Sequence, residues 1–96
     1  MTKNEILSLL KSKKEFMQTA YGVDKIGLFG SYAKNIATQE SDIDIYVEFN
    51  NKTFDNLAGL WNFLENLYET KIDLIHKHNN SNRVILENIQ KEVIFG

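Results

Sequence analysis

The stretch that decides the fold runs Lys25-Ile26-Gly27-Leu28-Phe29-Gly30-Ser31, then ten residues, then Asp42-Ile43-Asp44-Ile45-Tyr46-Val47-Glu48-Phe49. Its second half alternates strictly between polar and apolar side chains, which is the period of a strand with one buried face. The first half is a short apolar run closed by Gly30-Ser31, a pattern typical of a strand that turns into a helix. We therefore predict two strands joined by a short helical segment and a loop.

The segments on either side of this stretch predict three helices and one more strand. Thr2-Lys3-Asn4-Glu5 has the form of a capping box, and Gly22 has the position of a C-cap. The spacing of apolar residues predicts helices over about residues 3–20, 53–70 and 81–91, and a strand over about 71–76. We therefore expect an α/β fold in the order α-β-α-β-α-β-α, with a small mixed sheet flanked by helices, as one domain over residues 1–96.

The composition excludes several classes of protein. With 96 residues, 43% of them hydrophobic and 25% charged, the chain has the balance of a globular domain and no cysteine for a disulfide or a thiolate metal site. A net charge of −2 argues against a domain that holds nucleic acid by bulk electrostatics, so we expect no direct nucleic-acid binding. Neither a signal peptide nor an apolar run of the ~20 residues that span a bilayer is present. We expect a cytoplasmic protein without membrane contact.

Three acidic residues are candidates for chemistry. Asp42 and Asp44 project from the same face of a strand, about 6.5–7 Å apart between Cα atoms, so both can reach one hard cation. Acids at this spacing also occur on strands that simply face solvent. Asp73 lies inside the apolar third strand, where an unpaired charge is costly, unless the strand is an edge strand and Lys71 or Lys77 pairs with it. Three neighbouring carboxylates would repel each other, and a divalent cation would compensate for that repulsion.

Gly30-Ser31 stands ten residues before Asp42, at the end of the preceding strand. Glycine lets the backbone approach a ligand closely. The free N–H groups at the start of a helix, with a serine hydroxyl beside them, suit a phosphate oxygen. A phosphate-binding turn that faces a strand with carboxylates is the minimum equipment for phosphoryl or nucleotidyl transfer.

This pattern resembles the G-S-x10-D-x-D motif of the nucleotidyltransferase superfamily related to DNA polymerase β. The fuller stretch from Phe29 to Ile45 is similar to that of the minimal nucleotidyltransferases, whose third carboxylate corresponds to Asp73 and whose length matches about residues 1–95. The family usually has glycine where this chain has Asn35. Because asparagine adopts the left-handed conformation more readily than other non-glycine residues, we expect the turn to survive.

The resemblance implies a Mg²⁺-dependent nucleotidyltransferase with ATP as its substrate. Gly30 and Ser31 would hold the triphosphate, and Asp42 and Asp44 would bind Mg²⁺. Asp73 would help to bind a second metal ion or act as the base for an acceptor hydroxyl. The resemblance also implies a partner, because minimal nucleotidyltransferases are antitoxins that add AMP to a tyrosine of a HEPN-domain toxin.

Two other functions are open at this point. One is nucleotidyl transfer to a small molecule such as an aminoglycoside, although the larger relatives that do this have an added helical domain. The other is a stoichiometric toxin binder without catalysis, which would not need all five of the implied site residues. The sequence leaves the acceptor, the nucleotide preference and a homo-oligomeric state undecided.

Overall fold

The centre of the fold is a sheet of four strands, as seen in the computed structural model, which describes residues 1–77 and 83–96. The strands are β1 (Val23–Phe29), β2 (Ile43–Phe49), β3 (Ile72–His76) and β4 (Ile94–Phe95). Their order in the sheet is β3-β2-β1-β4. β2 pairs in parallel with β3 and antiparallel with β1, and β1 also pairs antiparallel with β4. The predicted mixed sheet is confirmed.

Helices lie on both faces of this sheet. In the described residues they are α1 (Lys3–Ser12), α2 (Lys14–Tyr21), α3 (Gly30–Ala33), α4 (Phe54–Tyr68) and α5 (Arg83–Glu92). α1, α2 and α4 cover the face that carries Ile43, Ile45 and Val47, and the core lies between them and the sheet. α5 lies against the other face, where Gln90 Nε2 donates a hydrogen bond to the Tyr46 hydroxyl. Within the described ranges, every helix is too short or too polar to span a lipid bilayer.

The alternation of β2 explains why the sheet has one apolar face. Its side chains Ile43, Ile45 and Val47 are at most 1% exposed, together with Leu60 and Leu64 of α4. Two side chains of α4 donate to main-chain oxygens of other elements, one in α1 and one in β3. The Tyr68 hydroxyl donates to the Ile6 carbonyl at 2.8 Å, and the Trp61 indole N–H donates to the Ile72 carbonyl at 2.9 Å.

The predicted first helix is two helices. The capping box is present, because Thr2 N donates to Glu5 Oε1 at 2.9 Å and Glu5 N donates to Thr2 Oγ1 at 3.2 Å. Lys13, however, leaves the helical conformation with φ −101° and ψ 2°. The Ser12 hydroxyl donates to a main-chain carbonyl of the preceding turn at 2.7 Å, a local bond that competes with the helix ladder. A second helix, α2, therefore begins at Lys14.

Other element bounds differ from the prediction by a few residues. β1 begins two residues earlier than expected, and α3 begins directly at Gly30. Phe54 belongs to the predicted apolar stripe of α4 but is 82% exposed, because the buried side chains of that helix begin at Leu60. β4 is only two residues long, too short to show a strand period. The predicted last helix starts at residue 81, which lies outside the described residues.

Candidate active site

The turn at the end of β1 lies directly over the Asp44 side chain. Phe29 pairs with Asp44 across β1 and β2, and the next residue, Gly30, has a φ of +75°. A Cβ added to Gly30 would lie 2.8 Å from Asp44 Cγ and 3.1 Å from Asp44 Cβ. Glycine is therefore required here for two reasons: the left-handed backbone, and the space that the carboxyl group occupies.

Ser31 connects the turn to the same carboxylate. Its backbone N–H donates a hydrogen bond to Asp44, which lowers the pKa of Asp44 and opposes the larger effects described below. The turn ends at Asn35, whose φ is +58°. The expectation that asparagine would take the left-handed conformation at this position is confirmed. The predicted phosphate-binding turn and the predicted metal-binding strand are thus in direct contact.

Asp44 and Asp73 form a carboxyl pair. They are register partners in the parallel pairing of β2 with β3, so their side chains leave the sheet on the same face. Burial, the charge of Asp73, a hydrogen bond with Asp73 and the charge of Asp42 together raise the pKa of Asp44 to about 6. Below about pH 6 Asp44 is protonated and its hydroxyl donates to Asp73; above that pH its negative charge lies beside the charge of Asp73, and a cation would compensate for the repulsion.

Asp42 lies just before β2 and is directed to a different neighbour. Its Oδ2 is 3.9 Å from Nζ of Lys71, and the side chains are 42% exposed for Asp42 and 77% exposed for Lys71. Such a surface ion pair contributes little free energy and is easily broken. In residues 1–77 and 83–96, no three acidic or histidine side chains are already gathered into a metal-binding group. The structure therefore brings Asp44 and Asp73 together and leaves Asp42 beside them, paired with Lys71.

The donor chemistry of this group fits a hard divalent cation. Carboxylate oxygens are the ligands that Mg²⁺ prefers, and the pKa of Asp44 is raised by its burial and by the two acids beside it. The alternative for Asp73 was an acid on an edge strand that pairs with a lysine, and the structure agrees with only the first part. β3 is an edge strand of the described sheet, but the ion pair of Lys71 is with Asp42.

Tyr46 is a further polar residue on the same face of β2, and the sequence did not single it out. It is fully buried, its hydroxyl donates to Glu48 Oε2 at 3.0 Å, and it accepts from Gln90 Nε2 at 2.9 Å. Burial raises the pKa of Tyr46, and Glu48 raises it further, so the phenol stays protonated at neutral pH. The sequence offered one indication of this role, a tyrosine among the acids on the polar face of β2. Its partner Gln90 could not be inferred, because it lies 44 residues away in the chain.

Comparison with known proteins yields a family and several relatives. Residues 10–96 match the protein family described as polymerase beta, nucleotidyltransferase. A Methanocaldococcus jannaschii protein described as a candidate protein adenylyltransferase is 38% identical over 97 residues, which is 98% of this chain and 97% of the relative. The protein adenylyltransferase MntA of Thermococcus cleftensis is 32% identical over 96 residues, which is 99% of this chain and 96% of the relative.

Solved structures share the fold. A candidate minimal nucleotidyltransferase superposes with a TM-score of 0.82 at 23% identity, covering 98% of this chain and 95% of that chain. A mutant of the toxin–antitoxin MntA–HpeT superposes with a TM-score of 0.62 at 28% identity, covering 100% of this chain and 72% of that chain. These superpositions confirm the fold class that the sequence predicted.

Proposed function

The chain belongs to the polymerase beta nucleotidyltransferase family, and we propose that it transfers AMP from ATP to a tyrosine hydroxyl of a HEPN-type toxin in a Mg²⁺-dependent reaction. The observation that carries this proposal is the contact between the Gly30-Ser31 turn and Asp44. A turn suited to bind phosphate thus lies against a carboxyl pair suited to bind metal ions. Nucleotidyl transfer requires these two kinds of group side by side.

The five residues divide the work between nucleotide and metal. Gly30 and Ser31 hold the triphosphate through the backbone and the serine hydroxyl. Asp42, Asp44 and Asp73 are the ligands for two Mg²⁺ ions, which when bound neutralise the carboxylates and stabilise the charge on the phosphates. Loading needs little rearrangement. Asp42 gives up a surface ion pair with Lys71, and Asp44 and Asp73 already lie side by side in the paired strands.

The reaction is an in-line displacement at the α-phosphorus of ATP. The acceptor oxygen forms a bond to the α-phosphorus, the bond from that phosphorus to the oxygen bridging to the β-phosphate breaks, and pyrophosphate leaves. The acceptor hydroxyl gives its proton to Asp73. Asp73 is the more suitable base because its side chain is exposed, whereas Asp44 is half-buried beneath Gly30.

Two observations support a protein acceptor. Relatives that match this chain over nearly its whole length are named protein adenylyltransferases, and MntA–HpeT, a structural neighbour, is a toxin–antitoxin. Asp73 is exposed and Asp42 is partly exposed, so both carboxylates are accessible to a docked macromolecule. Such a partner can align its hydroxyl with the α-phosphate through contacts remote from the chemistry.

Intact-mass spectrometry tests the proposal with a HEPN-type protein, which should be sought among the products of the neighbouring genes. Incubation with ATP and Mg²⁺ should add about 329 Da per transfer, the mass of an AMP group that replaces a hydroxyl proton. The gain should vanish with Asp44→Asn and persist with Asp24→Asn, which changes an exposed acid at the far end of β1. A toxin that is inhibited but unmodified would contradict catalysis and favour the stoichiometric binder. Modification of a small hydroxylated substrate instead would favour the aminoglycoside-type reaction.

A further inference from the structure

The last two turns of α5 are joined to both elements of the site. Gln90 Nε2 donates to the Tyr46 hydroxyl at 2.9 Å, and Tyr46 lies two residues from Asp44 on the same face of β2. Glu92 Oε1 lies 3.3 Å from Nζ of Lys34, the residue that ends α3 and follows the Gly30-Ser31 turn. α5 thus connects the strand that carries the carboxylates with the segment that carries the turn.

The two connections differ in strength. The Lys34–Glu92 pair is about half exposed on both sides, and exposed ion pairs contribute little to holding two elements together. The Tyr46 hydroxyl, by contrast, is fully buried and has partners on both sides, Gln90 as donor and Glu48 as acceptor at 3.0 Å. Loss of this hydroxyl would take one hydrogen-bond partner from the part-buried Gln90 amide and one from the part-buried Glu48 carboxylate.

The chain beyond α5 holds the helix at a fixed place along the sheet. Val93 Cγ1 lies where Gly27 would carry a Cβ, and β4 then pairs with Gly27 and Leu28. The Phe95 ring meets the Tyr46 ring edge to face, with centroids 6.3 Å apart. The end of α5 is thus held against β1 by Val93 and β4. A hydrogen bond from Gln90 to Tyr46 therefore fixes the position of β2 relative to α5.

We propose that Tyr46 is a positioning residue: its hydroxyl, held between Gln90 and Glu48, fixes β2 against α5 and so sets the spacing between Asp44 and the Gly30-Ser31 turn. The kinetic consequence rests on the proposed function. Catalytic groups must be held within a fraction of an ångström, and a misplacement of about 1 Å can cost up to 100-fold in rate. Tyr46 contributes through Asp44 and the turn and does not itself touch the nucleotide.

The matched pair Tyr46→Phe and Tyr68→Phe tests this role. Each variant deletes one hydroxyl and its hydrogen bonds while keeping the ring, but Tyr68 bonds to the Ile6 carbonyl on the opposite side of the sheet. Tyr46→Phe should lower kcat for AMP transfer about 10- to 100-fold and leave the KM for ATP within about twofold, because the misplacement acts on the transition state. Tyr68→Phe should lower the Tm and keep kcat. An equal loss of kcat in the two variants, or wild-type kcat in Tyr46→Phe, would overturn the proposal.

A measurement without turnover separates this inference from the proposed function. In the metal-free protein, the amide proton shift of Ser31 reports its hydrogen bond to Asp44. Tyr46→Phe and Gln90→Met should both move this shift by more than Tyr68→Phe does. An unmoved Ser31 amide in both variants overturns the positioning role, even if the wild-type protein transfers AMP. If the wild-type protein transfers no AMP, the proposed function fails, and the Ser31 shift still decides the positioning role.

Discussion

Gly30 and Asp44 are fitted to each other across the β1–β2 pairing: a Cβ on residue 30 would lie 2.8 Å from Asp44 Cγ and closer still to Oδ2. The Ser31 N–H then donates to the same carboxylate. The proposed phosphate-binding turn and the proposed metal-binding strand are therefore one structural unit, and a substitution in either should change the geometry of both.

Gly30→Ala should disrupt this unit. The added methyl group meets Asp44 and also strains a backbone with φ +75°, so the free energy of unfolding should fall by about 1–3 kcal/mol. Displacement of Asp44 should weaken Mg²⁺–ATP binding about tenfold or more, measured by calorimetry. Gly22→Ala is the matched control, since Gly22 has a φ of +68° but lies beside Asn51 and Asn56. It should lose stability and keep Mg²⁺–ATP affinity; equal affinity losses would contradict the special role of the Gly30–Asp44 contact.

Stability without metal should depend on pH through Asp44. The folded protein raises the pKa of Asp44 from 3.8 to about 6, so the folded state binds this proton more tightly than the unfolded state does. Stability is therefore lost as pH rises from about 4 to about 6, and stays lower above that.

Asp44→Asn removes this loss. Urea denaturation in EDTA at pH 8 should show the variant to be more stable than wild type by about 1 kcal/mol. This value is reduced because solvent reaches the half-buried carboxyl group. The difference in stability should disappear near pH 4. Asp42→Asn should gain less, because it leaves the Asp44–Asp73 pair in place and loses the ion pair with Lys71. A variant that is less stable than wild type at pH 8 would mean that the Asp44 charge stabilises the fold.

Glu69→Gly should stabilise the protein. Glu69 ends α4 with a φ of +53°, in the left-handed region that a side chain makes unfavourable and glycine enters freely. We expect a gain of about 0.5–1 kcal/mol in the free energy of unfolding. Glu65→Gly, within the same helix, should instead cost about 1 kcal/mol. A loss in both variants would show that the Glu69 side chain contributes contacts that outweigh its backbone strain.

Gly27→Ala should loosen the C-terminal segment. The added Cβ meets Val93 Cγ1 and lies 2.7 Å from the Ile94 carbonyl oxygen, so β4 must move away from β1. The stability should fall by about 1–3 kcal/mol, and the Gly96 amide, which donates to the Ile26 carbonyl at 3.0 Å, should exchange faster. Gly59→Ala is the control: the atoms nearest to its added Cβ belong to the Tyr21 side chain and not to β4, and alanine favours the helix. If the Gly96 amide of Gly27→Ala exchanged as slowly as in the wild type, Gly27 would not be needed to hold β4 against β1.

The sequence alone determined the parts of this protein that depend on local spacing. The alternation of residues 43–49 determined which side chains of β2 face the core, the Thr2–Glu5 capping box began the first helix, and Gly22 ended the helical segment before β1. The motif from Gly30 to Asp44 indicated the family and the candidate site. These features could be predicted because helix and strand periods, caps and turns are set by neighbours within a few residues.

Only the tertiary structure decided the features that join distant segments. Asp44 meets Asp73 because β2 and β3 pair in parallel in one register, and a shift by one residue would have turned Asp73 to the other face. Tyr46 is buried because α5 covers the polar face of β2, which the alternation alone does not show to be covered. β4 exists because Gly27 leaves room for Val93 and Ile94. Such contacts depend on packing between elements far apart in sequence, and no local pattern records which partner a side chain will meet.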